Sequence, residues 1–226
     1  MTCDSFPLPR AVLFDWDGTL ADNWGAISAA VNAARATFGL ETWSEEETYR
    51  QCTRALRDSF PEWFGQDWER ARAIFYEHFT HAHLDALRPI PGAASLLDRL
   101  KAACIPLFIV SNKQGELLRQ ETERLGWSER FEGIVGAGDT PLAKPSRDPV
   151  DYALSQGGLN ADNLAFWFVG DTDVDVACAR ASGCTPVLVR ATEDVRHTLG
   201  VPLAFADLSS LEAFLQDHGL APSCKV

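Results

Sequence analysis

Short uninterrupted runs of hydrophobic residues recur along the chain, and longer segments with helical spacing of apolar positions separate them. The runs are rich in Val, Ile, Leu and Phe and do not alternate with polar residues. This pattern is typical of strands that are covered on both faces of a parallel sheet. We predict such strands at residues 11–14, 105–110, 131–135, 164–169 and 185–189.

The segments between most of these runs carry apolar residues three and four positions apart, as amphipathic helices do. Gly126 and Gly183 stand where helices are commonly capped at their carboxyl ends. The alternation of strands and helices predicts an α/β fold with a doubly wound, Rossmann-like parallel sheet. The helices are expected at residues 93–103, 114–125, 149–156 and 174–181.

One segment, residues 22–88, shows no strand pattern. It contains about three helical patterns, at residues 24–38, 44–60 and 66–87, and a Pro/Gly-rich stretch follows it. We therefore predict an inserted α-helical cap at 22–88 and an α/β core formed by 1–21 and 89–226. An insert after a strand lies above the crevice where such sheets bind ligands, so it is well placed to act as a lid.

Composition and charge narrow the range of partners. The 226 residues carry a net charge of −12, which disfavours nucleic acids and anionic membranes because both would repel the protein. The apolar runs are too short to span a bilayer, and the first residues lack the apolar core of a signal peptide. The six cysteines form no CxxC pair, and we expect reduced thiols and a cytoplasmic protein. The oligomeric state is not predicted.

Polar residues cluster at the carboxyl ends of the predicted strands. Because these ends share one edge of a parallel sheet, residues that are distant in sequence should converge in one pocket. Several carboxylates in one pocket repel one another unless a cation joins them, and an all-oxygen ligand set suits Mg²⁺. The residues concerned are Asp15, Asp17, Ser111, Asn112, Lys144, Asp171, Asp173 and Asp175.

Positive potential is expected at the same edge. Lys144 and the amino end of the helix that starts near Asn112 form a site typical of phosphate binding. A metal, a phosphate site and a neighbouring carboxylate together indicate phosphoryl transfer. An aspartate can attack phosphorus to form an aspartyl phosphate, and a second carboxylate two residues on can move the leaving-group proton.

Four motifs occur in a characteristic order. They are Asp15-Trp16-Asp17-Gly18-Thr19, Ser111-Asn112-Lys113, Lys144-Pro145 and Gly170-Asp171-Thr172-Asp173-Val174-Asp175. Together they resemble the signature of the haloacid dehalogenase-like hydrolase superfamily. The phosphoglycolate phosphatase-like branch, with its small helical cap, is the most similar. The resemblance extends over nearly the whole chain.

The resemblance implies a role for each motif residue. Asp15 would be the nucleophile and Asp17 the general acid and base. Asp15, the backbone carbonyl of Asp17, and Asp171 would hold Mg²⁺, with Asp175 supporting the metal or its waters. The residues that would bind the phosphoryl group or shape its loop are Ser111, Asn112, Lys144, Gly18 and Thr19. The predicted function is hydrolysis of a small phosphorylated metabolite, such as phosphoglycolate or a sugar phosphate.

Other functions and roles stay open at this point. A phosphomutase of the same superfamily shares all four motifs, and a non-catalytic binding module on this fold is a further alternative. A dehalogenase is disfavoured by Asp17, and a phosphonate hydrolase by the absence of lysine from residues 22–88.

Predictions can also be made for side chains to which the resemblance assigns no role. Asp173 is as well explained as a solvated residue of a helix's first turn as it is as a ligand. His78, His81 and His83 are expected to be exposed, and the tryptophans of the cap are expected to lie in its core. One cap arginine among Arg50, Arg54 and Arg57 is a candidate for contact with a substrate carboxylate. Trp16 should point away from the pocket, because side chains alternate along an extended segment.

Overall fold

The computed structural model describes residues 7–52, 54–160, 165–190 and 193–222, with no side-chain description for Arg57, Glu193 and Asp194. A six-stranded parallel sheet lies at the centre of the α/β fold. The strands are β1 (Ala11–Phe14), β2 (Ala21–Asp22), β3 (Arg88–Pro89), β4 (Leu107–Gln114), β5 (Gly133–Ala137), β6 (Phe166–Gly170), β7 (Thr185–Val189) and β8 (Leu203–Phe205).

The sheet order β5-β4-β1-β6-β7-β8 places the first strand in the middle. Val12 of β1 is in register with Leu107 on one side and with Trp167 on the other. The chain moves outward from β1 through β4 to β5, and then crosses to the opposite side to form β6, β7 and β8. The direction of winding therefore changes at β1, and ligands of doubly wound sheets bind at the carboxyl ends of the strands at such a point.

Helices cover both faces of the sheet. Val12 and Phe14 pack into one hydrophobic cluster with the helices Ala93–Ala102 and Leu208–Asp217. Ala11 and Leu13 pack into another, with the helices Asp148–Gln156 and Asp173–Ala181. Burial on both faces explains why the strands read as continuous apolar runs. The helices are α1 (Trp24–Thr37), α2 (Glu45–Gln51), α3 (Leu56–Phe64), α4 (Trp68–Ala86), α5 (Ala93–Ala102), α6 (Gly115–Arg124), α7 (Asp148–Gln156), α8 (Asp173–Ala181), α9 (Glu193–Leu199) and α10 (Leu208–Asp217).

The predicted fold class is confirmed, with differences in single elements. The segment 44–60, predicted as one helix, contains α2 and the start of α3. The two helices are separated around Ala55, which is buried and has the extended backbone angles φ −56° and ψ 133°. Gly126 and Gly183 have φ angles of 69° and 71°, as expected of glycines that follow a helix. Leu164, the predicted start of the strand at 164–169, lies outside the described residues.

Helices α1 to α4 lie between the two short strands β2 and β3, which pair antiparallel through Ala21 with Pro89 and Asp22 with Arg88. These helices share a hydrophobic cluster of their own, in which Phe60 and Phe75 are central aromatic residues. We call residues 22–88 the helical insert, and its exact domain boundaries stay a prediction.

Two expectations from composition can be compared with the structure. Cys104 is disulfide-bonded, so the prediction of reduced thiols is wrong at this position. Cys52, Cys178 and Cys184 are free. Disulfide pairing depends on proximity in the folded chain, which spacing along the sequence does not reveal.

Within the described residues, no helix is both long enough and apolar enough to cross a membrane.

Candidate active site

The loop that follows β1 presents two carboxylates to a cleft at the edge of the sheet. The backbone N–H of Asp15 donates to the carbonyl of Val169 at 2.9 Å and so extends the pairing of β1 with β6. Asp15 and Asp17 both line the cleft. Trp16, between them, is fully buried in the core and meets Trp127 edge to face, with ring centroids 6.0 Å apart. The predicted orientation of Trp16 is therefore confirmed.

Most of the residues predicted from the strand ends line this cleft. Its volume is about 700 Å³, including the open side. Gly18, Thr19 and Asp171 are not among the residues that line it, although they contact those that do. Asp173 is exposed in the first turn of α8, on the solvent side. The predicted residues that line the cleft are Asp15, Asp17, Ser111, Asn112, Lys144 and Asp175.

Three buried aspartates form a compact acidic cluster. One carboxylate oxygen each of Asp15, Asp171 and Asp175 lies within 4.8 Å of the other two. All three side chains belong to the carboxyl ends of the neighbouring strands β1 and β6 or to the helix that follows β6. A buried set of carboxylate oxygens this close together fits a hard divalent cation such as Mg²⁺, because oxygen ligands of negative charge suit it.

Lys144 supplies the positive charge beside this cluster. Its side chain comes from the segment between β5 and α7, is 4% exposed, and donates to Asp15 and, at 2.7 Å, to Oδ1 of Asp175. Burial alone would lower the pKa of Lys144, but the charges of Asp15 and Asp175 outweigh it and raise the pKa above its ordinary value. Lys144 is therefore a permanent cation beside the acidic cluster.

Asp175 is held by the start of helix α8. Its Oδ2 accepts from the backbone N–H groups of Asp171 at 3.2 Å and Thr172 at 3.0 Å, and from the Thr172 hydroxyl at 2.7 Å. Thr172 in turn accepts from the Asp175 N–H, which completes a capping box. With its other oxygen bound to Lys144, Asp175 is fixed on both sides.

Asp171 is bound by residues on both sides of the cleft. Oδ1 accepts from the Thr19 hydroxyl at 2.9 Å, and Oδ2 accepts from the Tyr49 hydroxyl of α2 at 2.8 Å. Gly18 has a φ angle of +86°, and a Cβ atom at this position would lie 2.3 Å from Oδ2 of Asp171. Gly18 and Thr19 thus shape the loop around Asp171.

Burial and neighbouring negative charges raise the pKa values of Asp15, Asp17 and Asp171. Burial and the neighbouring charges of Asp175 and Asp171 raise the pKa of Asp15 well above its ordinary value of 3.8, against the opposing effect of Lys144. Burial and the charge of Asp175 raise the pKa of Asp171 to about 7. Burial raises the pKa of Asp17 to about 6, with Lys113 opposing the shift. Such shifts are common where catalytic groups are gathered.

Two charged residues that the sequence did not single out approach Asp17. Nζ of Lys113 donates to Oδ1 of Asp17 at 2.7 Å and to Oε2 of Glu121 at 2.6 Å. Burial alone would raise the pKa of Glu121, but Lys113 and the hydrogen bonds from His83 and Trp16 hold it below its ordinary value. Lys113 stands inside a motif, so the scarcity of lysine was a usable signal for it. Glu121 lies on α6 among other charged residues, and nothing in the sequence distinguishes it.

The histidines of the helical insert differ from one another. His78 and His81 are exposed, as predicted. His83 is 1% exposed and its Nδ1–H donates to Oε1 of Glu121 at 2.8 Å, so the prediction of an exposed histidine is wrong there. His83 lies on the face of α4 that packs against the cluster of the insert and against α6. The spacing of the histidines along the sequence does not show which face of the helix is buried.

The wall of the cleft opposite the aspartates comes from the helical insert and is mainly apolar. It includes Trp24, which is partly buried. Trp43, Trp63 and Trp68 are partly buried as well, and the four tryptophans pack against the insert's own cluster from its edge and not inside it, as the core prediction required. Arg54 is a cap arginine that lines the cleft, and it pairs with Glu62. The apolar residues of the insert that line the cleft are Trp24, Ile27, Leu56, Phe75 and Phe79, and Leu117 of α6 lies beside them.

The sequence and the fold of this chain are similar to those of known hydrolases. Residues 12–189 match the family of haloacid dehalogenase-like hydrolases. The phosphoglycolate phosphatase of Chromobacterium violaceum is 32% identical over 89% of this chain and 94% of its own length. Phosphoglycolate phosphatase 1 of Pseudomonas aeruginosa is 28% identical over 96% of this chain and 86% of its own. The crystal structure of a predicted phosphatase from Clostridium acetobutylicum superposes on this chain with a TM-score of 0.82. The match covers 93% of this chain and all of that one at 22% sequence identity, and it shows that the two share a fold.

The chain belongs to the haloacid dehalogenase-like hydrolase family. Within it, the sequence relatives assign the chain to the phosphoglycolate phosphatase-like branch, and it is an enzyme of the phosphatase class.

Proposed function

We propose that the protein is a Mg²⁺-dependent phosphatase that hydrolyses a small phosphorylated metabolite through an aspartyl-phosphate intermediate on Asp15. The observation that carries the proposal is the position of Asp15. Its buried carboxylate accepts from Lys144, lies close to the carboxylates of Asp171 and Asp175, and lines the same cleft as Asp17. A nucleophile, a cation and a candidate metal site thus meet at one point of the cleft.

The donor set supports Mg²⁺ at this point. Asp15, Asp171 and the backbone carbonyl of Asp17 would hold the ion, and Asp175, already fixed by Lys144 and Thr172, would orient its surroundings. When bound, the ion offsets the repulsion between Asp15 and an anionic phosphate and stabilises the charge of the transferring group.

The first chemical step uses Asp15 and Asp17. A carboxylate oxygen of Asp15 attacks phosphorus, the bond from phosphorus to the substrate oxygen breaks, and Asp17 gives its proton to the departing oxygen. The raised pKa of Asp17, about 6, supports this role because the group is then protonated in a usable fraction near neutral pH. Lys144, Ser111 and Asn112 would bind the phosphoryl oxygens.

The second step returns the enzyme to its initial state. Asp17, now a carboxylate, takes a proton from water while the water oxygen attacks phosphorus. The bond between phosphorus and Asp15 breaks, and inorganic phosphate leaves. Lys144 offsets the charge on the phosphoryl oxygens in both steps.

The substrate is proposed from the relatives and from the cleft. The relatives described above are phosphoglycolate phosphatases, whose substrate carries a carboxylate beside its phosphate. Arg54 at the wall of the cleft is suited to such a carboxylate because guanidinium binds it in a planar, paired geometry. We include a cytoplasmic location in this proposal, as for a metabolite phosphatase.

A direct test measures phosphate release from p-nitrophenyl phosphate and from phosphoglycolate with and without Mg²⁺. We expect activity that needs the metal and that falls by at least about 10³-fold in Asp15→Asn, since nucleophile removal has costs of that order or larger. Asp173→Asn, an exposed neighbour of the cluster, is the matched control and should keep full activity. Phosphate release that survives in Asp15→Asn would refute the assignment. Release of free phosphate without a bisphosphate primer would also argue against a mutase.

A further inference from the structure

A buried anion outside the proposed catalytic steps lies next to the cleft. Glu121 on α6 is 0% exposed, and its carboxylate accepts four hydrogen bonds. Oε2 accepts from Nε1 of Trp16 and from Nζ of Lys113, both at 2.6 Å. Oε1 accepts from Nδ2 of Asn23 at 2.9 Å and from Nδ1 of His83 at 2.8 Å.

The donors come from four separate parts of the chain. Trp16 lies between the two cleft aspartates, Lys113 at the end of β4, Asn23 immediately before α1, and His83 in the last turn of α4. Nδ2 of Asn23 also donates to the carbonyl of His83 at 3.0 Å, so the two ends of the helical insert are tied together at Glu121. The carboxylate is therefore fixed from every side in a dry environment.

Burying this charge is expensive for stability. An ionised carboxylate that is removed from water loses its solvation, and well-packed apolar residues commonly replace buried ion pairs without loss of stability. The cation nearest to Glu121 is Lys113, and the same ammonium group binds Asp17 at 2.7 Å. The side chain of Lys113 is only 5% exposed, so its position depends on these two carboxylates. A costly group that fixes the partner of a catalytic residue points to a role in catalysis.

We propose that Glu121 is a positioning residue, which holds Lys113 in place and through it fixes the carboxyl group of Asp17 for transfer of the leaving-group proton. This proposal rests on the proposed function, because it assigns Asp17 the role of general acid. Glu121 does not touch the substrate. Without it, Lys113 loses one of its two carboxylate partners, and the Asp17 carboxyl group loses its fixed direction.

The test compares two substrates that differ in their need for an acid. The leaving group of p-nitrophenyl phosphate departs without protonation, whereas p-nitrobenzyl phosphate carries a similar ring but releases an alkoxide that needs a proton. The value kcat/KM reports the steps up to the departure of the leaving group. The ratio of kcat/KM for the two substrates therefore isolates the contribution of Asp17 as an acid, and it does not depend on the fraction of folded enzyme.

In Glu121→Gln we expect the ratio of p-nitrophenyl to p-nitrobenzyl phosphate to rise by about tenfold or more, as part of a general-acid contribution is lost. Glu123→Gln, an exposed position on the same helix, should leave the ratio unchanged. Lys113→Gln should raise the ratio as well. In the double variant the rise should be no larger than in Lys113→Gln alone, because Glu121 acts through Lys113. If Glu121→Gln does not fold, Glu121→Asp, with its shorter reach, must raise the ratio.

Two results would overturn the inference. Equal losses of kcat/KM for both substrates would mean that Glu121 supports only the structure, and additive effects in the double variant would mean that it does not act through Lys113. Failure of the unaltered protein to release phosphate from either substrate would be a different result, because it would contradict the proposed function itself.

Discussion

At the scale of single residues, the cleft gathers charges that repel one another and balances them with two buried lysines. Lys144 joins Asp15 to Asp175, and Lys113 joins Asp17 to Glu121. Each of the two aspartates with a proposed chemical role thus has its own cation. Each lysine favours the charged form of its aspartate and fixes its position, against the burial that disfavours charge.

Arg54 is the residue on which substrate choice is expected to depend. In Arg54→Gln, KM for phosphoglycolate should rise by about tenfold, since a hydrogen bond to a charged group contributes roughly 1.5–3 kcal/mol. KM for p-nitrophenyl phosphate, which has no carboxylate, should change little. The measurement is steady-state kinetics with both substrates. Arg50→Gln is the control, because Arg50 is exposed and pairs with Glu46 and Glu47 on α2. An unchanged KM for phosphoglycolate would remove Arg54 from the substrate site.

The convergence of the aspartates and Lys144 could be predicted from the sequence, because each follows a strand and parallel strands share a carboxyl edge. Tyr49, His83 and Glu121 could not. They stand on helices, and the direction in which each side chain points depends on how the insert packs against the sheet. A glutamate in a charged helix such as α6 looks solvated until the fold buries it.

At the scale of elements, the loop between β1 and β2 is shaped by the need to pass close to Asp171. Gly18 allows this through its left-handed backbone and its missing side chain. The N–H of Gly18 donates to the carbonyl of Ala21 at 2.8 Å, which holds the loop in a tight turn before the helical insert begins. The same turn therefore forms one wall of the acidic cluster and starts the connection to the insert.

A matched pair of glycine variants separates the backbone strain at a left-handed residue from the contact of a new side chain with Asp171. Gly18→Ala and Gly39→Ala both place a side chain on a left-handed residue, with φ angles of +86° and +67°. Each should lose about 1–2 kcal/mol of stability. Only at Gly18 would the new Cβ meet Asp171, since no atom of the described part of the chain lies within 4 Å of a Cβ at Gly39. We expect Gly18→Ala alone to weaken divalent-cation binding and to lower kcat/KM by about 10²-fold or more, as for loss of a transition-state contact. Thermal unfolding, cation titration and phosphate release are the measurements. Equal cation affinity in the two variants would argue against close packing at Gly18.

The elements themselves were largely predictable, because buried strands give continuous apolar runs and glycines mark helix ends. The strand β8 was not predicted, because its three residues are too few to form a recognisable hydrophobic run. The division between α2 and α3 was missed because Ala55 favours a helix by its own preference, while its place in the fold requires an extended backbone.

At the scale of the whole molecule, the acidic cluster links global stability to pH and to metal. The pKa of Asp171 rises from 3.8 to about 7 on folding without metal, so between these values the folded protein holds a proton that the unfolded chain has released. The unfolded state binds fewer protons in this window, and the free energy of unfolding must fall as the pH rises through it. A bound cation would remove this penalty.

We therefore expect the unfolding free energy of the metal-free protein to decline with pH more steeply than that of Asp171→Asn. The difference between the two slopes should be at most about 1.4 kcal/mol per pH unit, for one proton. Denaturant unfolding in the presence of a chelator, from pH 4 to pH 8, gives both slopes. Asp173→Asn should behave like the unaltered protein. Parallel curves for Asp171→Asn and the unaltered protein would show that Asp171 titrates normally in the fold.

The central place of β1 in the sheet has a consequence for the growing polypeptide. Ribosomes release the amino-terminal part of a protein first, yet Asp15 is 129 residues away from Lys144, and Thr19 is 152 residues away from Asp171. The first strand to emerge has no second neighbour until β6 follows, and contacts over such separations form late. A nascent chain that stops before β6 can contain Asp15 and Lys144, but it lacks Asp171 and Asp175, the two other members of the acidic cluster. Under the proposed function, we therefore expect translation products that end before β6 to release no phosphate from its esters.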